Sequence, residues 1–204
     1  MPSPSSNQRR RYTWSDYRSW PGDERWELIG GEAYAMSPSP SSRHQGIAMR
    51  LGARLDGHFG DGPCRVFAAP MDVCLSEEDV VQPDLLVVCD RERIQPTHIQ
   101  GAPSLVVEIL SDSSLVTDRR LKMDLYARAG VREYWIVTPF PSLVEVFALA
   151  GDAYRFVKAY GRDDTLASPL FPALSIPLAR VFDFPLDPQE LRVLEVREPP
   201  SAYA

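Results

Sequence analysis

The sequence predicts an α/β fold, and three observations predict it. Apolar runs of strand length, "VVQPDLLVV", "SLVVEIL" and "EYWIV", share the chain with two stretches whose apolar residues recur at helical spacing. Gly30-Gly31 near the start and Gly151-Asp152 near the end each suit a tight hairpin turn, so strands are expected on both sides of the helical region. With 204 residues, 44% of them hydrophobic, the chain can bury an ordinary globular core, and a single domain is expected.

The elements follow in order. Residues 1–11, rich in Ser, Pro and Arg, read as a disordered tail, 12–185 as the domain, and 186–204 as an acidic, loosely held tail. "TWSDYRSW" is a short helix capped by Thr13, with Asp16 three residues on, that ends before Pro21. "RWELIGGEAYAMS" is an N-terminal β-hairpin, which brings Glu27 and Glu32 near each other. In "SRHQGIAMRLGARLDGHF", Ile47, Leu51, Leu55 and Phe59 stand at four-residue steps, the stripe of an amphipathic helix. His44 lies at its N-terminal end on the core-facing side, where a histidine serves as a cap, a satisfied core residue or a site residue.

Three extended runs come next: "CRVFAAPMDVCL", "VVQPDLLVV" and "SLVVEIL". The polar segment "CDRERIQPTHIQGAP" between the second and third is too short for a crossover helix, so these two pair antiparallel. "TDRRLKMDLYARAGV" is a helix with Thr117 as N-cap, Leu121, Leu125 and Ala129 as its buried stripe, and Gly130 as its stop. "REYWIVTP", "SLVEVFALA" and "AYRFVKAYG" are additional C-terminal strands, and Pro169, Pro172 and Pro177 mark a winding segment that covers a sheet edge.

Several classes are excluded. No apolar run is long enough to cross a bilayer, and the basic residues near the start have no apolar segment behind them, so a cytoplasmic protein without a membrane partner is expected. Cys64, Cys74 and Cys89 match no zinc or disulfide spacing and are expected to be structural thiols. A net charge of -6 argues against a protein that coats nucleic acid, so any DNA contact must be local.

Glu108 stands in the middle of "SLVVEIL", where a desolvated carboxylate costs several kcal/mol unless compensated. Folding "VVQPDLLVV" back on "SLVVEIL" sets Asp84 roughly opposite it, and like charges there call for a cation. Mg²⁺ binds through one or two carboxylates plus waters and phosphate oxygens, and the Ile109 carbonyl could complete the shell. Lys122, beside the helix's apolar stripe, could reach the pair across the strand ends. The competing reading is a surface ion pair with Asp118, four residues earlier. Tyr126, one turn on, either contacts substrate or packs in the core.

The string "VVQPDLLVV... PSLVVEILSDSSLVTDRRLKMDLYARAGVREYWIV", with the opening "YTWSDYRSW...RWELIGGEAYAMSPSPSSRHQGIAMRL", resembles the Uma-type family of restriction endonucleases, a branch of the PD-(D/E)XK nuclease superfamily. The resemblance runs from about Tyr12 to Phe184. It implies a restriction-endonuclease-like core, a central mixed β-sheet flanked by helices, and a metal-dependent nuclease site. By position, Pro83-Asp84 matches the PD element and Glu108 the acidic residue of the second motif. Leu110 stands where the superfamily lysine would be, and the resemblance nominates Lys122, from the following helix, in its place. Glu27, Glu32 and His44 fall where related enzymes supply further site residues.

The expected function is therefore a Mg²⁺-dependent DNA endonuclease, Mn²⁺ substituting, in which Asp84 and Glu108 hold the ion and Lys122 assists the attacking water. A symmetric homodimer or higher homo-oligomer would be the simplest way to cut both strands. The alternatives are an inactive binding module on the same scaffold, and a glycosidase using the paired carboxylates.

Overall fold

The computed structural model describes residues 10–22, 24–36, 40–111 and 117–185. In chain order the elements begin with α1 (Trp14–Tyr17), the hairpin strands β1 (Trp26–Ile29) and β2 (Glu32–Ala35), and the long helix α2 (Ser42–Phe59). Strands β3 (Arg65–Ala68), β4 (Val73–Ser76), β5 (Asp79–Val81) and β6 (Leu85–Val88) follow. Next come β7 (Ile99–Gln100), β8 (Leu105–Ile109), α3 (Thr117–Ala129) and β9 (Glu133–Thr138). The chain continues with β10 (Leu143–Ala150), β11 (Ala153–Gly161), β12 (Thr165–Ala167) and β13 (Ser175–Pro177).

The expected central mixed sheet is present, with six strands in the order β11-β10-β9-β8-β6-β3. Only β8 and β9 run parallel in it; α3 connects them as a crossover. A second, five-stranded sheet in the order β2-β1-β5-β4-β7 was not legible as such. Two runs read as single strands, "CRVFAAPMDVCL" and "VVQPDLLVV", each divide between the sheets. The breaks fall at Ala69-Pro70 and at Gln82-Pro83-Asp84, because a proline lacks the N–H that a sheet ladder needs.

Alternation along the central strands sorts the core into two layers. Leu85, Val87, Leu105, Val107 and Trp135 face the α2 stripe of Ile47, Leu51, Leu55 and Phe59. Leu86, Val88, Val106, Tyr134 and Ile136 face Leu125 and Tyr126 of α3 together with Ile29, Val73 and Val81 of the smaller sheet. The Pro-rich segment after Ser168 packs Leu174, Ile176, Leu178 and Phe182 beside α2 in the first layer, so it covers a face of the sheet and not an edge.

The local signals at the N-terminus hold. Thr13 and Asp16 form a reciprocal capping box, and Gly30 and Gly31 take φ of 58° and 77° at the hairpin turn, a region open to glycine at little cost. Arg10 and Arg11, assigned to the tail, are instead held against the domain: Arg11 donates to the Gly30 carbonyl at 2.8 Å and pairs with Glu78 at 2.9 Å. The rest of that tail, residues 1–9, and the C-terminal tail, 186–204, lie outside the described residues, as do the side chains of Thr117 and Asp118.

Two other expectations are corrected. Cys64 and Cys89 form a disulfide and only Cys74 is a buried thiol; the antiparallel ladder of β3 and β6 pairs Arg65 with Val88, which brings the flanking cysteines together. Among the described side chains of α3 the buried positions are Lys122, Leu125, Tyr126 and Ala127, while Leu121 and Ala129 are half-buried. The helix is rotated so that Lys122 and Tyr126 enter the protein beside Leu125, while Arg120 and Arg128 stay exposed. No helix among the described residues is long and apolar enough to cross a membrane.

Candidate active site

The two sheets part at Gln82-Pro83-Asp84, and the site lies there. The β6–β8 ladder pairs Leu85 with Val107 and Leu86 with Val106. One step further along it, Asp84 stands opposite Glu108. The Ile109 N–H donates to Asp84 Oδ2 at 2.7 Å, and His44 Nε2, from the first turn of α2, lies 3.3 Å from the same oxygen. Burial alone would push the His44 ring down. The Asp84 carboxylate beside it, with smaller contributions from the nearby Ile109 backbone and the Glu108 charge, outweighs this and holds it above its usual value.

Glu108 is held from the other side. Lys122 Nζ donates to its Oε1 at 3.2 Å and the Tyr126 hydroxyl to the same oxygen at 2.7 Å. Lys122 also donates to Glu27 Oε1 at 3.0 Å, and Glu27 accepts from the Gln82 N–H at 2.9 Å. Lys122 is therefore a buried ammonium between two buried carboxylates, 6% exposed against 5% for Glu27 and 9% for Glu108. Burial pushes the Glu108 carboxyl up to about 7; Lys122 opposes this, the Asp84 and Glu27 charges add to it, and the Tyr126 hydroxyl opposes it.

The structure thus brings Asp84, Glu108, Lys122, Glu27, His44 and Tyr126 into one cluster. It does not bring in Glu32. The hairpin register pairs Glu27 with Tyr34 and Ile29 with Glu32, so Glu32 sits two residues further out on the edge strand, exposed and accepting from the Tyr34 hydroxyl at 3.2 Å. Sequence reasoning missed Gln82. Its side chain accepts from Arg25 Nε at 2.8 Å and donates to Asp72 at 2.8 Å and to the Tyr17 hydroxyl at 3.1 Å, while its backbone holds Glu27. The available signal was a polar residue inside the apolar run "VVQPD", directly before Asp84.

The cluster forms the floor of a cleft of about 830 Å³ between α2 and the β1–β2 hairpin. The profile of the Uma2 family, "Putative restriction endonuclease", matches residues 14–179. The chain belongs to the Uma2 family. Two relatives from Synechocystis sp. are similar to it: the uncharacterized protein slr1290, 28% identical over 70% of this chain and 76% of its own, and the uncharacterized protein sll1609, 26% identical over 63% and 75%. The fold matches the crystal structure of "a putative nuclease belonging to DUF820" from Anabaena variabilis at a TM-score of 0.69, with 19% identity, 83% of this chain and 97% of the other. Family and fold together support a nuclease of the restriction-endonuclease type for this Uma2 chain.

The carboxylate oxygens test whether the site suits a metal. Among the described residues no donor reaches Asp84 Oδ1 or Glu108 Oε2, whereas Oδ2 and Oε1 are each taken by two partners. One oxygen on each of two facing carboxylates is left to accept from something else. Two anionic oxygens without nitrogen or sulfur donors fit a hard cation such as Mg²⁺. Among the described residues no group of three or more His, Cys, Asp and Glu is placed to hold a metal ion, so protein ligation would rest on these two carboxylates.

Proposed function

We propose that this Uma2 chain is a Mg²⁺-dependent DNA endonuclease, with Mn²⁺ able to substitute, and that Asp84 and Glu108 hold the ion. The observation that carries the reading is the pair of free oxygens, Asp84 Oδ1 and Glu108 Oε2, on carboxylates whose other oxygens are saturated. Held by Asp84 and Glu108, such an ion would supply a Lewis acid for the scissile phosphate and would lower the pKa of a water.

The side chains divide the remaining work. His44 and the Ile109 N–H fix the rotation of Asp84, and Tyr126 fixes that of Glu108. Lys122, an ammonium donating to two carboxylates, acts by charge and orientation and not as a base: its proton donors align the attacking water and offset the charge that develops on phosphorus oxygens. Glu27 keeps the amine at the strand ends, supplying from α3 what Leu110 cannot. In the hydrolysis the water oxygen bonds to phosphorus and gives up a proton to bulk water, the bond to the leaving ester oxygen breaks, and that oxygen takes up a proton from bulk water.

The test is incubation of purified protein with plasmid, single-stranded and branched DNA, with Mg²⁺ or with chelator. Metal-dependent cleavage that is lost in folded Asp84→Ala and Glu108→Ala variants supports the reading. Absence of cleavage on all substrates overturns it. The tie of Lys122 to both Glu27 and Glu108 favours one other reading, a binding module without turnover, and that module would show no thermal shift with Mg²⁺ or Mn²⁺.

A further inference from the structure

The walls of the cleft bear on which form of DNA reaches this floor. Helix α2 buries the stripe His44, Ile47, Leu51, Leu55 and Phe59 and turns the adjacent one toward the cleft, where Ala48, Gly52 and Ala53 keep the wall flat and Met49 projects. At Gly52 an added Cβ would come within 3.2 Å of Leu85, so glycine lets the helix lie close on the sheet while its neighbours leave the cleft open. Across the cleft, the register that pairs Tyr34 with Glu27 puts the Tyr34 ring on the same face of the hairpin as the site, one strand nearer solvent. Among the described residues three large apolar side chains are exposed, and two of them, Met49 at 73% and Tyr34 at 36%, line this cleft.

Charge points the same way. Among the described residues, Glu27, Asp56, Asp84 and Glu108 line the cleft against the cations Arg25 and Lys122. Arg25 is bonded to Gln82 and Lys122 to two of the carboxylates. An intact duplex presents two rails of phosphate, and proteins grip it by neutralising them with Lys and Arg. The described lining, acidic with apolar sides, offers no such grip. An unpaired strand instead exposes base faces, which stack on aromatic and apolar side chains whatever the sequence.

We infer that the cleft accepts an unpaired DNA strand, a single-stranded end, flap or loop, with bases held between Tyr34 and Met49 while one phosphate reaches the carboxylates. The inference rests on the nuclease reading for its chemistry and on the walls for the form of the substrate. Base stacking then supplies most of the affinity, and few phosphates are neutralised.

The test is fluorescence anisotropy of a labelled oligonucleotide, single-stranded or annealed as a blunt duplex, with the full-length Asp84→Asn variant in Mg²⁺, so that binding is read without turnover. The expected result is at least about tenfold tighter binding of the single strand. Tyr34→Ala in the same background is expected to weaken that binding about tenfold, and Tyr34→Phe, which keeps the ring, to retain it. The dependence of log affinity on log salt is expected to be shallower than about −2, because each neutralised phosphate contributes about −0.7. Equal or tighter duplex binding, binding of neither form, or Tyr34→Ala binding like its parent overturns the inference. Cleavage by the wild type is scored separately: a duplex-preferring, metal-dependent nuclease would sink this inference and leave the nuclease reading standing, and single-strand binding without any cleavage would do the reverse.

Discussion

Glu27 and Lys122 are separated by 95 residues of sequence and form an ion pair of 3.0 Å in which both side chains are less than a tenth exposed. The pair joins the smaller sheet to α3 and sets the amine beside Glu108. Lys122 keeps Glu108 at 3.2 Å when Glu27 is removed, so the loss is one charged hydrogen bond and not a stranded charge. Glu27→Ala is therefore expected to lower stability by about 1.5–3 kcal/mol, and Glu27→Gln, which keeps an oxygen near the amine, by less. Urea unfolding of metal-free protein measures both, and equal stability of Glu27→Ala and the wild type would refute the structural role of the pair.

Glu108 sets a pH dependence whose sign can be worked out. Its carboxyl is raised from 4.5 to about 7 by burial in the folded state. Between those values the folded metal-free protein keeps a proton that the unfolded chain has released, so stability is full below the unfolded value and falls as pH rises through the folded one. Unfolding free energy of metal-free protein is thus expected to decrease from about pH 4.5 to pH 7, with a flatter profile in Glu108→Gln. Because a metal ligand must be deprotonated, Mg²⁺ affinity is expected to rise over the same range. Calorimetric titration at several pH values checks it; a pH-independent affinity would remove Glu108 from the metal site.

Tyr126 gives a separate handle on the same carboxylate. Its hydroxyl, buried and with its pKa raised well above the usual value, donates to Glu108 Oε1 at 2.7 Å. Tyr126→Phe deletes that donor while leaving the ring against Tyr134, 5.2 Å away. A cost of about 1–3 kcal/mol in stability is expected, since the bond is to a charged group, together with weaker Mg²⁺ binding. Thermal denaturation with and without Mg²⁺ reads both, and an unchanged metal-induced shift would mean that Glu108 is oriented by Lys122 alone.

Much of this was legible. A polar loop too short for a crossover fixes β6 and β8 as antiparallel neighbours, and the ladder then places Asp84 across from Glu108 without any tertiary information. The second sheet was not legible, because its strands are three or four residues long, apart from a two-residue β7, and are separated from the central ones by prolines inside continuous apolar runs. The reach of Lys122 was ambiguous for a different reason. Leu121 and Ala129 mark an apolar stripe on α3, but Lys122 and Tyr126 enter the protein, because Glu27 and Glu108 are there to receive them. The hydrophobic period locates Leu125, which is buried, but a helix face shared with buried polar partners is turned away from the rest of that stripe.

The sharpest ambiguity is Glu133, a second glutamate at the head of an apolar strand, 0% exposed, that the sequence does not distinguish from Glu108. Its oxygens are spoken for. Oε1 accepts from the Trp135 indole, and Oε2 from the Ser168 hydroxyl and the Leu170 N–H, each at 2.8 Å. It ties the Pro-rich segment to β9, and it has no free oxygen of the kind that Glu108 turns to the cleft. Glu133→Leu leaves three donors without their acceptor and is expected to cost more than Ser168→Ala, itself about 1–3 kcal/mol. Neither variant is expected to alter the Mg²⁺-induced thermal shift, whereas Glu108→Gln abolishes it. A loss of metal response in folded Glu133→Leu would show that a saturated carboxylate can still serve the site, and the count of free oxygens would no longer separate the two glutamates.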